Sequence, residues 1–376
     1  MKILFLDTKP IRRGAQVFLS DLSEAFQNSG IDVVKVYLYE HEGAGKLALM
    51  QQDKVLGGNE NHFFEKIPTL HPALLRRLIK TIRVEKPDII LLNGSRTLKY
   101  GSAAKPWVPA HIRFVYRIID SPKFWNPHPF KQWYYRKLVL SGMDAAVGVS
   151  AASLKDMVEL HRFQKPTAVI HRAIRTEKYD ALLDKQTLRA QHKLTNQKVL
   201  LFLGNVSKQK RPDRFVEIID LVRKSEPNIL AWVIGDGPLM DETKALVEAK
   251  GLSDVFTFHG YQQEVGPLIK CADVLILSSD TEGLPGVVLE CGYVGVPTVS
   301  GMVGGIAECI ENGVTGYIVT EKQPALYADR VLALIRDEPA RVTMGQQLKK
   351  NVTDAFRVEK VLEKYRTFFQ SIMKTN

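Results

Sequence analysis

The chain has 376 residues, 45% of them apolar, with no low-complexity tract and no solenoid-type repeat; this is material for two globular domains and excludes a fibrous or disordered protein. It carries 52 Lys and Arg against 41 Asp and Glu, a formal net charge of +11. Residues 1–180 hold 28 basic and 17 acidic side chains, whereas residues 181–376 hold 24 of each, so the whole excess belongs to one domain's surface.

Asp7 breaks the opening run Met1–Leu6 too early for a signal-peptide core, and no run approaches the roughly 18–20 apolar residues that span a bilayer. A soluble or peripheral protein is expected. The three cysteines, Cys271, Cys291 and Cys309, fit no zinc spacing, and an odd count argues against a disulfide framework. They are expected to be small buried residues in a reducing cytoplasm.

In chain order, the first half places strands at Lys2–Asp7, Asp32–Leu38, Asp88–Asn93, Arg113–Ile119, Asp144–Val149 and Thr167–Ile170. Several are apolar on both faces, as buried parallel strands must be. Ala15–Ser29 sets Phe18, Leu22, Ala25 and Phe26 on one helical face and stops at Gly30, which completes a βαβ unit. Residues Arg175–Asn196 contain no convincing strand and read as the connection between domains. The second half repeats the scheme: strands at Lys198–Leu203, Ile229–Ile234, Val255–Phe258, Val274–Leu277, Thr298–Ser300 and Tyr317–Val319. Between them lie helices at Pro212–Lys224, Met240–Lys250, Gln263–Lys270 and Val287–Val294. Three helices follow, Pro324–Asp337, Pro339–Asn351 and Arg357–Met373. The expected class is α/β, two Rossmann-like doubly wound domains facing across a cleft, with ligands outside the carboxyl ends of the strands. The expected boundaries are 1–180 and 181–356, with the last helix, about 357–376, returning to the first domain.

The segment richest in chemistry is Ser278–Glu290, between a buried strand and a helix. Glu282 lies in its loop and Glu290 about one turn into the helix. Gly283 and Gly286 let the backbone approach a ligand and offer N–H groups at a helix N-terminus, where an anion is favoured. Carboxylates accept hydrogen bonds from sugar hydroxyls, and two at different depths could hold two sugar rings. A solvated Glu282 and a capping Glu290 are the plainer alternative. Around this segment stand Gly235-Asp236-Gly237-Pro238, His259-Gly260-Tyr261, Gly304-Gly305 and Asn312-Gly313.

With these residues in view, the stretch from about Lys198 to Val319 resembles the retaining glycosyltransferases of the GT-B fold, family four. The resemblance implies that Glu282 contacts the donor sugar and Glu290 the ribose. It places Gly235, Tyr261, Gly283, Leu284, Pro285, Gly286 and Val287 along the donor. In the loop Gly204–Pro212 it puts Lys210 where the family has a diphosphate-binding Lys, but Asn205 where the family has an Arg. Arg211 or Lys208 could supply the missing charge.

The first half matches more loosely. Arg12-Arg13-Gly14-Ala15-Gln16 resembles the family's Gly-Gly-Ala-Glu loop, whose backbone faces the donor phosphates, so the resemblance makes Gly14 a donor-binding residue, with Arg13 in place of the first Gly. His171-Arg172-Ala173-Ile174 departs from the family's Pro-Asn-Gly-Val hinge. The family often has a His after the strand Arg113–Ile119; this chain has none there, and Asp120 either positions the acceptor or caps the following turn. The aromatic stretch Phe124–Lys137 either stacks on sugars, lies at a membrane interface or is ordinary packing.

The implied function is transfer of a hexose-type sugar, with retention, from a nucleoside diphosphate sugar (UDP rather than GDP) to a hydroxyl of a glycan, glycolipid or other acceptor in cell-surface glycan assembly. Glu282, Lys210 and Asp120 are the expected catalytic residues. No cofactor or metal is expected, since no carboxylates are spaced for one. The basic groups Arg12, Arg13, Arg76, Arg77, Lys80 and Arg117 are assigned to the acceptor and membrane side, as peripheral contact with an anionic leaflet of the cytoplasmic face. A nucleotide-sugar epimerase of similar architecture and a non-catalytic basic binding protein are the alternatives. A nicotinamide enzyme is a weaker reading, because neither Asp7–Gln16 nor Gly235–Leu239 supplies Gly-x-Gly-x-x-Gly. Nucleic acid is not an expected partner, since no reader motif is present.

Overall fold

The computed structural model describes residues 1–43, 45–59, 70–125 and 128–374. The chain forms two compact units, Met1–Ala173 with Val358–Asn376, and Ile174–Arg357.

The first unit is built on seven parallel strands: β1 (Lys2–Asp7), β2 (Asp32–Tyr39), β3 (Lys54–Gly58), β4 (Ile89–Asn93), β5 (Arg113–Ile118), β6 (Ala145–Gly148) and β7 (Thr167–Val169). Their order is β3-β2-β1-β4-β5-β6-β7. The order reverses between β1 and β4, the switch point at which loops part and a ligand can enter. Successive residues of β1 serve opposite faces. Leu4 and Leu6 join a core with Leu74, Leu78 and Ile82 of α2 (Pro72–Glu85), while Ile3 and Phe5 join one with Phe18, Leu22 and Phe26 of α1 (Gly14–Asn28). The C-terminal helix Val358–Lys374 packs on α1 within that second core: Val361, Tyr365, Phe369 and Ile372 form its buried stripe, and Phe369 stacks on Phe26 at 6.1 Å.

The strand β3 is absent from the sequence reading. It is a five-residue edge strand, Lys54-Val55-Leu56-Gly57-Gly58, whose two glycines and single buried residue, Leu56, give it no alternating pattern.

The second unit has six parallel strands: β8 (Lys198–Leu203), β9 (Ile229–Ile234), β10 (Phe256–Gly260), β11 (Val274–Leu277), β12 (Thr298–Gly301) and β13 (Gly316–Val319). They run in the order β10-β9-β8-β11-β12-β13, with the switch between β8 and β11. Of its helices, α3 (Pro212–Ser225) follows β8, α4 (Met240–Ala249) follows β9, α5 (Gly286–Tyr293) follows β11, and α6 (Pro324–Arg336) and α7 (Glu338–Ala355) close the unit.

Residues 175–196 hold two short helices, Glu177–Asp180 and Lys185–Gln191, and are pinned to this unit rather than left as a free tether. The pin is Asp273, 4% exposed, which accepts from Lys185 Nζ at 2.9 Å, Arg189 Nη1 at 3.2 Å and the Val199 N–H at 2.9 Å, with Arg341 Nη2 at 3.6 Å. Burial pushes this carboxyl up, but Lys185, the Val199 N–H and Arg341 outweigh it and hold it below the usual carboxylate range.

Candidate functional site

Two loops at the carboxyl ends of β8 and β11 are zipped together. The β8 loop enters at Gly204, whose φ of 139° needs glycine, and closes at Arg211, the left-handed residue (φ 51°) before α3. The Asp280 N–H donates to Gln209 O at 2.9 Å, Gln209 Nε2 to Thr281 O at 2.9 Å, and Ser278 Oγ to Lys210 O at 2.9 Å. Asp280 in turn accepts from Arg214 Nη2 at 2.8 Å and Arg211 Nη1 at 3.2 Å, and Lys322 Nζ donates to its carbonyl at 2.6 Å. Burial raises the Asp280 carboxyl and the two guanidinium groups more than reverse it, leaving it below the usual range.

This clamp fixes the spacing of the two central side chains. Lys210 Nζ lies 2.6 Å from Glu282 Oε1, and Ser279 Oγ donates to the same oxygen at 2.6 Å. The side chains are 19% and 9% exposed, so Glu282 is a buried, paired carboxylate and not a solvated one. From behind, the β12 loop braces it. A Cβ on Gly304 would fall 1.9 Å from the Glu282 carbonyl oxygen, and the Gly305 N–H donates to Gly283 O at 2.7 Å. Only glycine allows that approach.

Gly283, Leu284, Pro285 and Gly286 are buried and lead into α5, whose N-terminus has no side-chain cap and no acid in its first turn. The N–H groups of Gly286 and Val287 are thus available to an anion, while Val288 N–H donates to Pro285 O at 3.2 Å. Val287 and Glu290 share the half-buried face of α5. Glu290 is the fifth residue of the helix and makes no hydrogen bond or ion pair among the described residues, so it caps nothing.

The other sequence-derived donor residues divide. Gly235 (φ 127°) is required by packing, since its Cβ would sit 2.0 Å from Gly204 O. Asn205 and Tyr261 are exposed and hydrogen-bond to neither Lys210 nor Glu282. Arg211 has its guanidinium held by Asp213 at 2.7 Å and by Asp280 at 3.2 Å. Lys208 is exposed beside it, on the rim of a cavity of about 440 Å³ that also includes Arg211, Asp213 and Asp280.

In the first unit, Gly14 is the first residue of α1, and Arg13 offers the helix no side-chain cap. A Cβ on Gly14 would lie 2.9 Å from Arg172 Nη1, and the Nε of Arg172 is buried without a hydrogen-bond partner. Arg172 is the functional candidate that sequence reasoning passed over: it is noted there only as a departure, yet it brings a cation to an uncapped helix start. Arg12 and Arg13 are exposed. Asp120 is half-buried just after β5, where its charge adds to burial in raising the Tyr116 hydroxyl.

Arg117 requires a correction. It is 2% exposed and cannot face an acceptor or a membrane. Its Nη1 donates to Asn93 Oδ1 at 2.7 Å and its Nε to Tyr365 Oη at 3.1 Å, and it lies 4.3 Å over the ring of Phe18. Asn93 in turn donates to Asp7 at 2.7 Å, and Gln16 to Asp7 at 2.9 Å. This is a buried network joining β1, β4, β5 and the C-terminal helix. Arg76, Arg77 and Lys80 are exposed on α2, although Arg77 Nη1 is occupied by Leu56 O at 2.7 Å. Phe130 and Trp133 are exposed by 76% and 45% and stack at 5.8 Å; the side chains of Phe124 and Trp125 and residues 126–127 of the same aromatic stretch lie outside the described residues. The three cysteines are buried thiols, and no metal-sized cluster of His, Cys, Asp and Glu occurs among the described residues.

The family model described as Glycosyl transferases group 1 matches residues 184–351, and that described as Glycosyltransferase Family 4 matches residues 12–178. Over 241 residues the chain is 28% identical to the N-acetyl-alpha-D-glucosaminyl L-malate synthase of Bacillus anthracis, a match covering 63% of each protein. Over 167 residues it is 31% identical to the Vi polysaccharide biosynthesis protein VipC/TviE of Salmonella typhi, covering 43% of this chain and 28% of that one. These matches span less than two thirds of each relative's length. The crystal structure of Anabaena HepE in complex with UDP and glucose is similar in fold, with a TM-score of 0.84 at 21% identity over 99% of this chain and 100% of that one. The two Rossmann-like sheets are those of a GT-B protein, and with one family model on each half the chain belongs to the glycosyltransferases of group 1 and family 4.

Proposed function

We propose that the protein transfers a hexose-type sugar from a nucleoside diphosphate sugar, UDP-linked in preference to GDP-linked, to an acceptor hydroxyl with retention of configuration. The observation that carries this reading is the Lys210–Glu282 pair held beside the uncapped start of α5. A cation and free helix N–H groups suit a diphosphate, and a buried carboxylate next to them suits the hydroxyls of the sugar it bears. The UDP-bound relative of similar fold supports the choice of base.

In this reading the acceptor oxygen bonds to the anomeric carbon on the face from which the diphosphate departs. The carbon–phosphate-oxygen bond breaks, and the acceptor proton passes to the leaving oxygen. Lys210 and the N–H groups of α5 stabilise the charge that grows there, and Glu290 holds the ribose. No metal takes part. The first unit binds the acceptor, with Asp120 near the strand end and Gly14 with Arg172 facing an anionic group. Its basic helix α2 and the exposed Phe130 and Trp133 attach it to the anionic cytoplasmic leaflet, where cell-surface glycans are assembled. The match to a polysaccharide biosynthesis protein supports that setting.

The test is release of UDP from UDP-sugars in excess chelator by the wild type and by Lys210→Ala and Glu282→Ala. Each variant is expected to lose more than about tenfold in transfer, ~1.4 kcal/mol of transition-state stabilisation. Near-normal turnover in both, or activity that metal alone restores, would overturn the assignment.

A further inference from the structure

We infer that Glu282 competes with the diphosphate for Lys210, so that the pair rejects the bare nucleotide product while accepting the intact donor. The inference rests on the proposed donor site and adds to it a device for product release.

The geometry supplies the competition. Glu282 Oε1 takes both of its described hydrogen bonds, from Lys210 Nζ and Ser279 Oγ, each at 2.6 Å. The two loops that carry the partners are held against drifting apart by one backbone bond, Asp280 N–H to Gln209 O, and by the Gln209 and Ser278 side chains donating to the Thr281 and Lys210 carbonyls. The brace at Gly304 blocks Glu282 from retreating behind its own loop, where the carbonyl is already in contact. A carboxylate 9% exposed has little water to fall back on when its cation is drawn away. A buried charge that loses one partner is penalised far more than the intact pair stabilises.

An arriving nucleoside diphosphate pulls Lys210 toward its own oxygens. If the sugar is attached, its hydroxyls donate to Glu282 and replace the ammonium group. If the sugar has already gone to the acceptor, Glu282 keeps only Ser279 and draws Lys210 back. The site therefore holds the donor better than the product by roughly the cost of orphaning one buried carboxylate, and release of the nucleotide is hastened by the residue that had held the sugar.

The experiment is calorimetric titration of UDP and of GDP into the wild type, Glu282→Gln, Lys210→Ala and the double variant, with folding checked by circular dichroism. Glutamine keeps the shape and the Ser279 bond but gives up the charge. Glu282→Gln is expected to bind the preferred diphosphate about tenfold more tightly than the wild type, and Lys210→Ala about tenfold more weakly. The double variant should bind no more tightly than Lys210→Ala. If Glu282→Gln fails to fold, Glu282→Ser carries the same expectation. Unchanged or weakened binding by the Glu282 variant, with Lys210→Ala weakened, overturns the competition and leaves the donor site standing. Affinity that Lys210→Ala does not change, or no binding of either nucleotide to the wild type, overturns the donor site and the inference with it.

Discussion

Arg214 Nη2 donates to Asp280 Oδ1 over 2.8 Å and so ties the helix after β8 to the loop after β11. Among the described residues Asp280 makes no hydrogen bond or ion pair with the Lys210 or Glu282 side chain; it sets their separation, and is a positioning residue. Asp280→Ala is expected to lower kcat by about tenfold with KM for donor less affected. Its melting temperature should fall moderately, because the Arg214 side chain, 7% exposed, loses its carboxylate. In a Lys210→Ala background the same change should cost little, since the pair it spaces is gone. Fully additive losses in the double variant would refute the role.

Glu290 stands half-buried on α5 without a partner. Glu290→Gln removes its charge but not its bulk. It should weaken nucleotide affinity by about tenfold while turnover at saturating donor changes little, as expected for a ribose contact made equally in ground and transition states. Unchanged affinity with a lowered melting temperature would assign Glu290 to the fold.

Tyr365→Phe removes the hydroxyl that accepts from the buried Arg117 Nε and leaves the ring against Phe18 and Phe369. The orphaned donor should cost about 1–3 kcal/mol in urea unfolding. Nucleotide affinity should not change. An equal stability for the variant would show that Asn93 alone suffices for Arg117.

Asp273 holds its proton less tightly than an ordinary carboxyl. Its folded-state value lies below the unfolded one, so the stability it contributes is present above the unfolded value, roughly pH 4, and is lost as pH falls through the folded value. Asp273→Asn should therefore be destabilised by a constant margin between pH 5 and 8, by assay at ~1-unit steps, and the margin should close only below about pH 4. A margin that closes near neutrality would contradict the pairing.

Vesicle co-sedimentation tests the membrane side. Binding should need anionic lipid, weaken with salt, and fall when Arg76, Arg77 and Lys80 are changed to Gln or when Phe130 and Trp133 are changed to Ser. Equal recovery on neutral vesicles, or none on either kind, would leave an enzyme with a soluble acceptor.

The strand scaffold was legible because fully buried parallel strands are short unbroken apolar runs such as Ile89-Ile90-Leu91-Leu92. The edge strand Lys54–Gly58 carries no such run. The approach of Lys210 to Glu282 could be expected from the resemblance, but the clamp that sets it could not: Arg214 and Asp280 are 66 residues apart and each reads alone as a surface charge. The pairing of Arg211 is hidden for the same reason, since one of its two carboxylates lies at Asp280. Arg117 was counted with the basic surface because charge is visible in a sequence and burial of charge is not; its partner Tyr365 lies 248 residues away.

The return of the C-terminal helix to α1 means that synthesis and folding run out of step. The 184 residues of Ile174–Arg357 leave the ribosome, and can fold as a unit, before Val358–Lys374 exists. At about 5–20 residues per second, the stripe of Phe18, Leu22 and Phe26 waits on the order of 10–40 s for its cover. Throughout that interval a nascent chain whose first sheet is already made still offers an open apolar flank to the holdases of the cell, and Arg117 still lacks the Tyr365 hydroxyl.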